Sequence, residues 1–143
     1  MKVIKSLTVL LICVLLSACG DKISQTVIIK PDGNKMKYET TSFKVKAGTT
    51  IRVVMDNTAD VPVMKHNIVF LTEKRFIKEV GEAASSAPNN IPDNPAIIAY
   101  TPIADPESET EVVFKVPSTP GSYPYICTYP GHYLMMQGTM IVE

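Results

Sequence analysis

Apolar and polar residues alternate along most of this chain in short runs, with the two-residue period of strands buried on one face. Thr50–Asn57 shows it best: Ile51, Val53 and Met55 take one face, and Arg52, Val54 and Asp56 the other. Gln25–Lys30, Ser42–Lys46, His66–Leu71, Ile97–Thr101, Glu111–Val116, Tyr123–Cys127 and Thr139–Val142 read as further strands, rich in β-branched and aromatic residues. Turn chemistry separates them, in Pro31-Asp32-Gly33-Asn34, Ala47-Gly48, Asn57 to Val63, Pro102 to Glu109 and Pro117 to Gly121. Glu73 to Ser85 breaks the rhythm. There Phe76, Ile77, Val80, Ala83 and Ala84 recur at helical spacing, which predicts a short helix packed on one sheet edge. Ala87 to Pro95, with three prolines and three asparagines, is a loop. The pattern predicts an all-β, antiparallel Greek-key sandwich of seven to eight strands with one short inserted helix.

The first residues follow a different rule. Lys2 and Lys5 precede the apolar run Leu7 to Leu16, which is too short to span a bilayer and reads as a secretory signal. It ends in Leu16-Ser17-Ala18-Cys19, which resembles a bacterial lipobox, cleaved before a cysteine that becomes lipidated. The expected organisation is a lipoprotein signal peptide at 1–18, a lipidated Cys19 with a short tether at 19–24, and a single domain at 25–143. It places the domain on a membrane, facing the periplasm or the cell exterior. The chain has 143 residues, enough for one sizeable core. Its 14 basic and 14 acidic residues balance, and loss of 1–18 removes two lysines and no acid, leaving a net charge of −2. With no basic stripe, nucleic acid is excluded as a partner.

Of three cysteines, Cys13 leaves with the signal and Cys19 carries lipid, so Cys127 is left as a free thiol in an oxidising compartment. A metal bond accounts for its survival there. Cys127 opens the spacing Cys-x4-His-x3-Met, with His132 and Met136, and Pro130-Gly131 folds the loop back on itself. Thiolate, imidazole and thioether form a donor set suited to copper rather than to calcium, magnesium or manganese. The chain's other histidine, His66, supplies the remaining nitrogen. Two His, one Cys and a weak axial Met is the pattern of a blue-copper electron-transfer site. Met135 competes with Met136 for the axial position, and the spacing favours Met136.

These residues resemble the azurin branch of the cupredoxins, with the lipoprotein-like auracyanins the nearest in pattern. Met64-Lys65-His66-Asn67-Ile68-Val69 is similar to that family's first-histidine segment. Cys127-Thr128-Tyr129-Pro130-Gly131-His132 followed by Met136-Gln137-Gly138 resembles its ligand loop and last strand, and Ile97–Thr101 the strand after its inserted helix. The resemblance implies one type 1 copper per chain and a role for Asn67 in tying the first-histidine strand to the ligand loop. Thr128, Tyr129 and Pro130 line the site, with the Tyr129 N–H a candidate donor to the sulfur and Pro130 lacking one. Lys65 stands where azurins proper carry a glycine.

The function expected is that of a one-electron carrier cycling Cu(I) and Cu(II), not an enzyme, since four protein ligands leave no open position. A copper carrier or buffer delivering metal to another protein is the alternative; zinc would waste the methionine. Around His132, the residues Val61, Pro62, Met64, Pro130, Leu134 and Met135 are expected to form an apolar patch for short-lived encounters with redox partners.

Overall fold

The computed structural model describes residues 22–143. The expected signal and Cys19 lie outside the described residues. Eight strands form two sheets: β1 (Ile23–Ile29), β2 (Ser42–Val45), β3 (Thr50–Asn57), β4 (Val69–Leu71), β5 (Ile97–Tyr100), β6 (Ser108–Lys115), β7 (Gly121–Ile126) and β8 (Gln137–Val142). The first sheet has the order β1-β3-β6 and the second β2-β8-β7-β4-β5. β1 starts at Ile23 and so takes in the end of the expected tether.

The all-β reading holds, but the sheets are not purely antiparallel. β1 pairs parallel with β3, and β2 pairs parallel with β8. The cause is sheet switching. The chain passes from β1 in one sheet to β2 in the other and back to β3, so β1 and β3 run the same way. In β3 Ile51, Val53, Met55 and Asn57 are buried and alternate with half-buried residues. Facing side chains of the two sheets, among them Ile29, Val53, Phe70, Tyr125 and Met140, make the main core. Burying each large apolar side chain contributes about 1.5–3 kcal/mol before the entropy of ordering is charged against it.

β4 is buried on both faces. Phe70 points into the main core, while Val69 and Leu71 join Ile77, Val80 and Ile126 in a second cluster outside the sheet. That cluster is closed by helix α1 (Ile77–Ala84), whose buried residues are Ile77, Val80, Gly81 and Ala84. β4 is interior to its sheet, so the helix covers a sheet face over β4 and β7, not an edge as the sequence suggested. Eight residues are too few for a helix stable alone, so α1 exists because this face needs a cover.

His66 does not lie within a strand. β4 begins at Val69, and His66 is held by an isolated antiparallel bridge to Ala104. The ladder is interrupted because the Ile68 N–H is taken by the Thr101 side-chain hydroxyl, at 3.0 Å.

Candidate metal centre

Two loops at one end of the sandwich supply the site. Before β4, the His66 amide donates to the Ala104 carbonyl (3.2 Å) and the Ala104 amide to the His66 carbonyl (2.7 Å). Buried Asn57 stitches this segment down, its Nδ2 donating to the carbonyls of Met64 and Ala104 at 2.8 and 3.0 Å. After β7, the chain turns at Gly131, whose φ of 81° is one that residues with a Cβ rarely adopt. The His132 amide closes that turn on the Tyr129 carbonyl at 2.9 Å. A single 3-10 turn, His132–Leu134, follows. The Met136 amide then donates to the His132 carbonyl (2.8 Å), and the Cys127 amide to the Met136 carbonyl (3.1 Å). The ligand loop is thus closed on itself before any metal is considered.

His66, Cys127 and His132 converge, and all are buried. Cys127 Sγ lies 3.8 Å from His66 Nδ1 and 3.7 Å from His132 Nδ1, and the two Nδ1 atoms are 3.2 Å apart. Two nitrogens about 2.0 Å and a sulfur about 2.3 Å from one ion, at about 110–120° to each other, stand about 3.3–3.5 Å (N to N) and about 3.5–3.7 Å (N to S) apart. The three donors come within about 0.1 Å of the separations of a trigonal metal site built from two nitrogens and one sulfur. With Nδ1 bound to an ion, the His66 ring would carry its proton on Nε2, which is buried without a hydrogen-bond partner among the described residues.

The electrostatics fit a cation. Burial, with the neighbouring His132 as the lesser cause, lowers His66 to about 4, and burial lowers His132 as well. Burial pushes the Cys127 thiol up to about 12, opposed by backbone N–H donors from Asn67 and Tyr129. A metal ion reverses the preference for the thiol and favours the thiolate.

Asn67 joins the two loops. Its Nδ2 donates to Thr128 Oγ1 and its Oδ1 accepts from the Thr128 amide, both at 2.8 Å. Three contributors were not foreseen. The Asn67 amide is a second donor to the sulfur beside that of Tyr129. Tyr38, fully buried, donates its hydroxyl to the Asn67 carbonyl at 2.6 Å, and Asn57 anchors the His66 loop. Nothing in the local pattern marks any of the three, because each acts across a long sequence separation or through a backbone atom. Lys65 turns outward, its Nζ 2.7 Å from Asp105.

Met136 is fully buried, with its backbone bonded to both Cys127 and His132, whereas Met135 is 68% exposed. His66 and Cys127 have no exposed surface and His132 has 5%. The Tyr129 ring meets the His132 ring edge-on, with centroids 5.0 Å apart. Residues 25–143 match the model of copper binding proteins, plastocyanin/azurin family. The chain belongs to this copper-binding family. It is 35% identical over 123 residues to auracyanin-A of Chloroflexus aurantiacus, covering 82% of this chain and 74% of that one. With azurin iso-2 of Methylomonas sp. strain J it shares 36% over 120 residues, covering 78% and 92%. Dithionite-reduced auracyanin from Roseiflexus castenholzii superposes with a TM-score of 0.76 at 34% identity, covering 85% of this chain and 99% of that one. The cupredoxin fold and a copper cofactor follow from this membership and from the donor set.

Proposed function

We propose that this protein is a one-electron carrier whose single type 1 copper is held by His66, Cys127, His132 and Met136. Copper, when bound, supplies the Cu(I)/Cu(II) couple. The observation that carries the reading is the enclosure of the three strong donors, with only 5% of His132 reaching the surface. Such a site has no room for a substrate and suits electron exchange through the His132 edge. The chain's own part is to hold the donors in place before and after the electron moves. The closed ligand loop and the Asn67–Thr128 pair limit rearrangement between redox states.

Partners are redox proteins that meet the surface around His132. Leu134 and Met135, which follow it, are 66% and 68% exposed; Val61 and Val63 are exposed as well, and so are Pro62 and Pro130, with Met64 half-buried. An apolar rim of this kind favours brief encounters. Lipid on Cys19 would hold the domain at a membrane on its extracytoplasmic side. Two or more acyl chains suffice for stable attachment, since one binds only marginally.

The experiment for the function is the colour of the copper-loaded protein beside Cys127→Ser. Intense blue or green in the wild type and none in the variant are expected, because a hydroxyl cannot supply the thiolate transition. A colourless wild type, or rapid loss of its copper to an apo acceptor, overturns the reading. For the anchor, Cys19→Ala is expected to move the protein out of the membrane fraction with its copper site intact. Wild-type protein found wholly soluble with an unmodified N-terminus would sink that part.

A further inference from the structure

Gly81, in the middle of α1, leaves a notch, and the ring of Tyr133 fills it. A Cβ built on Gly81 would lie 2.2 Å from Tyr133 Cγ and 2.4 and 2.6 Å from its two Cδ atoms. Cγ moves only with χ1, so clearing a Cβ at Gly81 requires either a new χ1 rotamer, which takes the ring out of its packed place, or a shift of the Tyr133 backbone. That backbone belongs to the 3-10 turn that begins at His132. The Tyr133 carbonyl is also fixed, accepting from Gln137 Nε2 at 2.7 Å. Its ring packs on the cluster containing Val80 and Ile126, and Ile126 directly precedes Cys127.

The His132 ring itself has few restraints. Among the described residues its hydrogen-bonding neighbours are Cys127 and His66, both within the donor set. Among those residues no carboxylate or carbonyl orients it from outside, the usual arrangement for a metal-binding histidine. Apart from the edge-on contact of the Tyr129 ring, its direction is therefore set by the turn it sits on, and a single 3-10 turn has little rigidity of its own. We infer that Tyr133, seated on Gly81, is a positioning residue for His132, through which the inserted helix fixes the geometry of the copper site. This rests on His132 being a copper ligand, as proposed above.

The test uses the full chain with Gly81→Ala, which fills the notch, Tyr133→Ala, which empties it, Tyr133→Phe, which keeps the ring, and Val80→Ala, which loosens the same cluster without touching the turn. In copper-free protein the Met136 amide, bonded to the His132 carbonyl, reports on the turn through hydrogen exchange. In copper-loaded protein, chelator competition and electron paramagnetic resonance report on the site. Gly81→Ala and Tyr133→Ala are expected to speed exchange at Met136, to alter the copper resonance and to weaken copper binding about 10- to 100-fold, the range for losing a group that orients a ligand. Tyr133→Phe should match the wild type, and Val80→Ala should lower only the melting temperature. The inference is overturned if Gly81→Ala and Tyr133→Ala behave as Val80→Ala does. Should Gly81→Ala fail to fold, Tyr133→Ala decides. Should the wild type take up no copper, the reading of function falls, and exchange at Met136 alone decides this one.

Discussion

Two adjacent methionines show how one position of sequence becomes a difference in chemistry. The 3-10 turn at His132–Leu134 carries Met135 outward, 68% exposed, while Met136 is fully buried behind the loop that it closes. Met136→Leu is expected to keep the colour and raise the reduction potential, since losing a weak donor and adding apolar bulk favours the less charged Cu(I). Met135→Leu should leave the potential unchanged and alter only encounters with partners. Voltammetry on both variants checks this, and a shift in Met135→Leu alone would move the axial assignment by one residue. At this scale the sequence was informative because the Cys-x4-His-x3-Met frame fits into one short loop. It could not reveal the second N–H on the sulfur, since the Asn67 amide is a backbone group carried in from another loop.

The elements were legible wherever their period was unbroken. β3 runs over the expected residues, and α1 falls within the expected helical stretch. The start of β4 was misjudged because the apolar run Ile68 to Leu71 reads as a strand that continues back to His66, yet at Ile68 a Thr101 side chain takes the place of a ladder partner. Gly81 carried no legible meaning either. A glycine there costs about 1 kcal/mol against alanine in a helix interior, and only the Tyr133 ring explains it. The Asn67–Thr128 pair belongs to this scale, because it links the loop before β4 to the loop after β7. Asn67→Ala leaves the buried Thr128 amide without its acceptor, a loss of about 1–3 kcal/mol. It is expected to weaken copper binding about 10- to 100-fold. Thr128→Val removes only the Oγ1 contact and should cost less. Chelator titration that finds all three proteins equal in affinity would exclude a role for this pair in holding the site.

For the whole molecule, the question is how far the fold depends on its metal. The main core lies between the sheets and draws on both; Cys127 and Met136 belong to it as buried side chains, but most of its members are apolar residues remote from the site, so it forms without the metal bonds. The copper-free protein is therefore expected to be folded, with copper adding stability because the unfolded chain cannot bring His66 to the Cys127 loop. At free copper 1,000-fold above its dissociation constant the gain is about 4 kcal/mol, or about 10 °C or more in melting temperature. Acid should act on the copper-free form in a defined window. The unfolded chain protonates its histidines near 6.5, whereas buried His66 resists until about 4 and His132 is also lowered. Between those values the unfolded state binds more protons, so stability is fully present above about 6.5 and falls as pH drops towards 4. Thermal melts of copper-free protein from pH 8 to 4 should be flat at first and then decline, and His66→Gln should flatten part of the decline. A copper-free chain that is unfolded at pH 7, or one whose melting temperature equals that of the copper form, would show that the core does not stand on its own or that copper is not bound by the native fold alone.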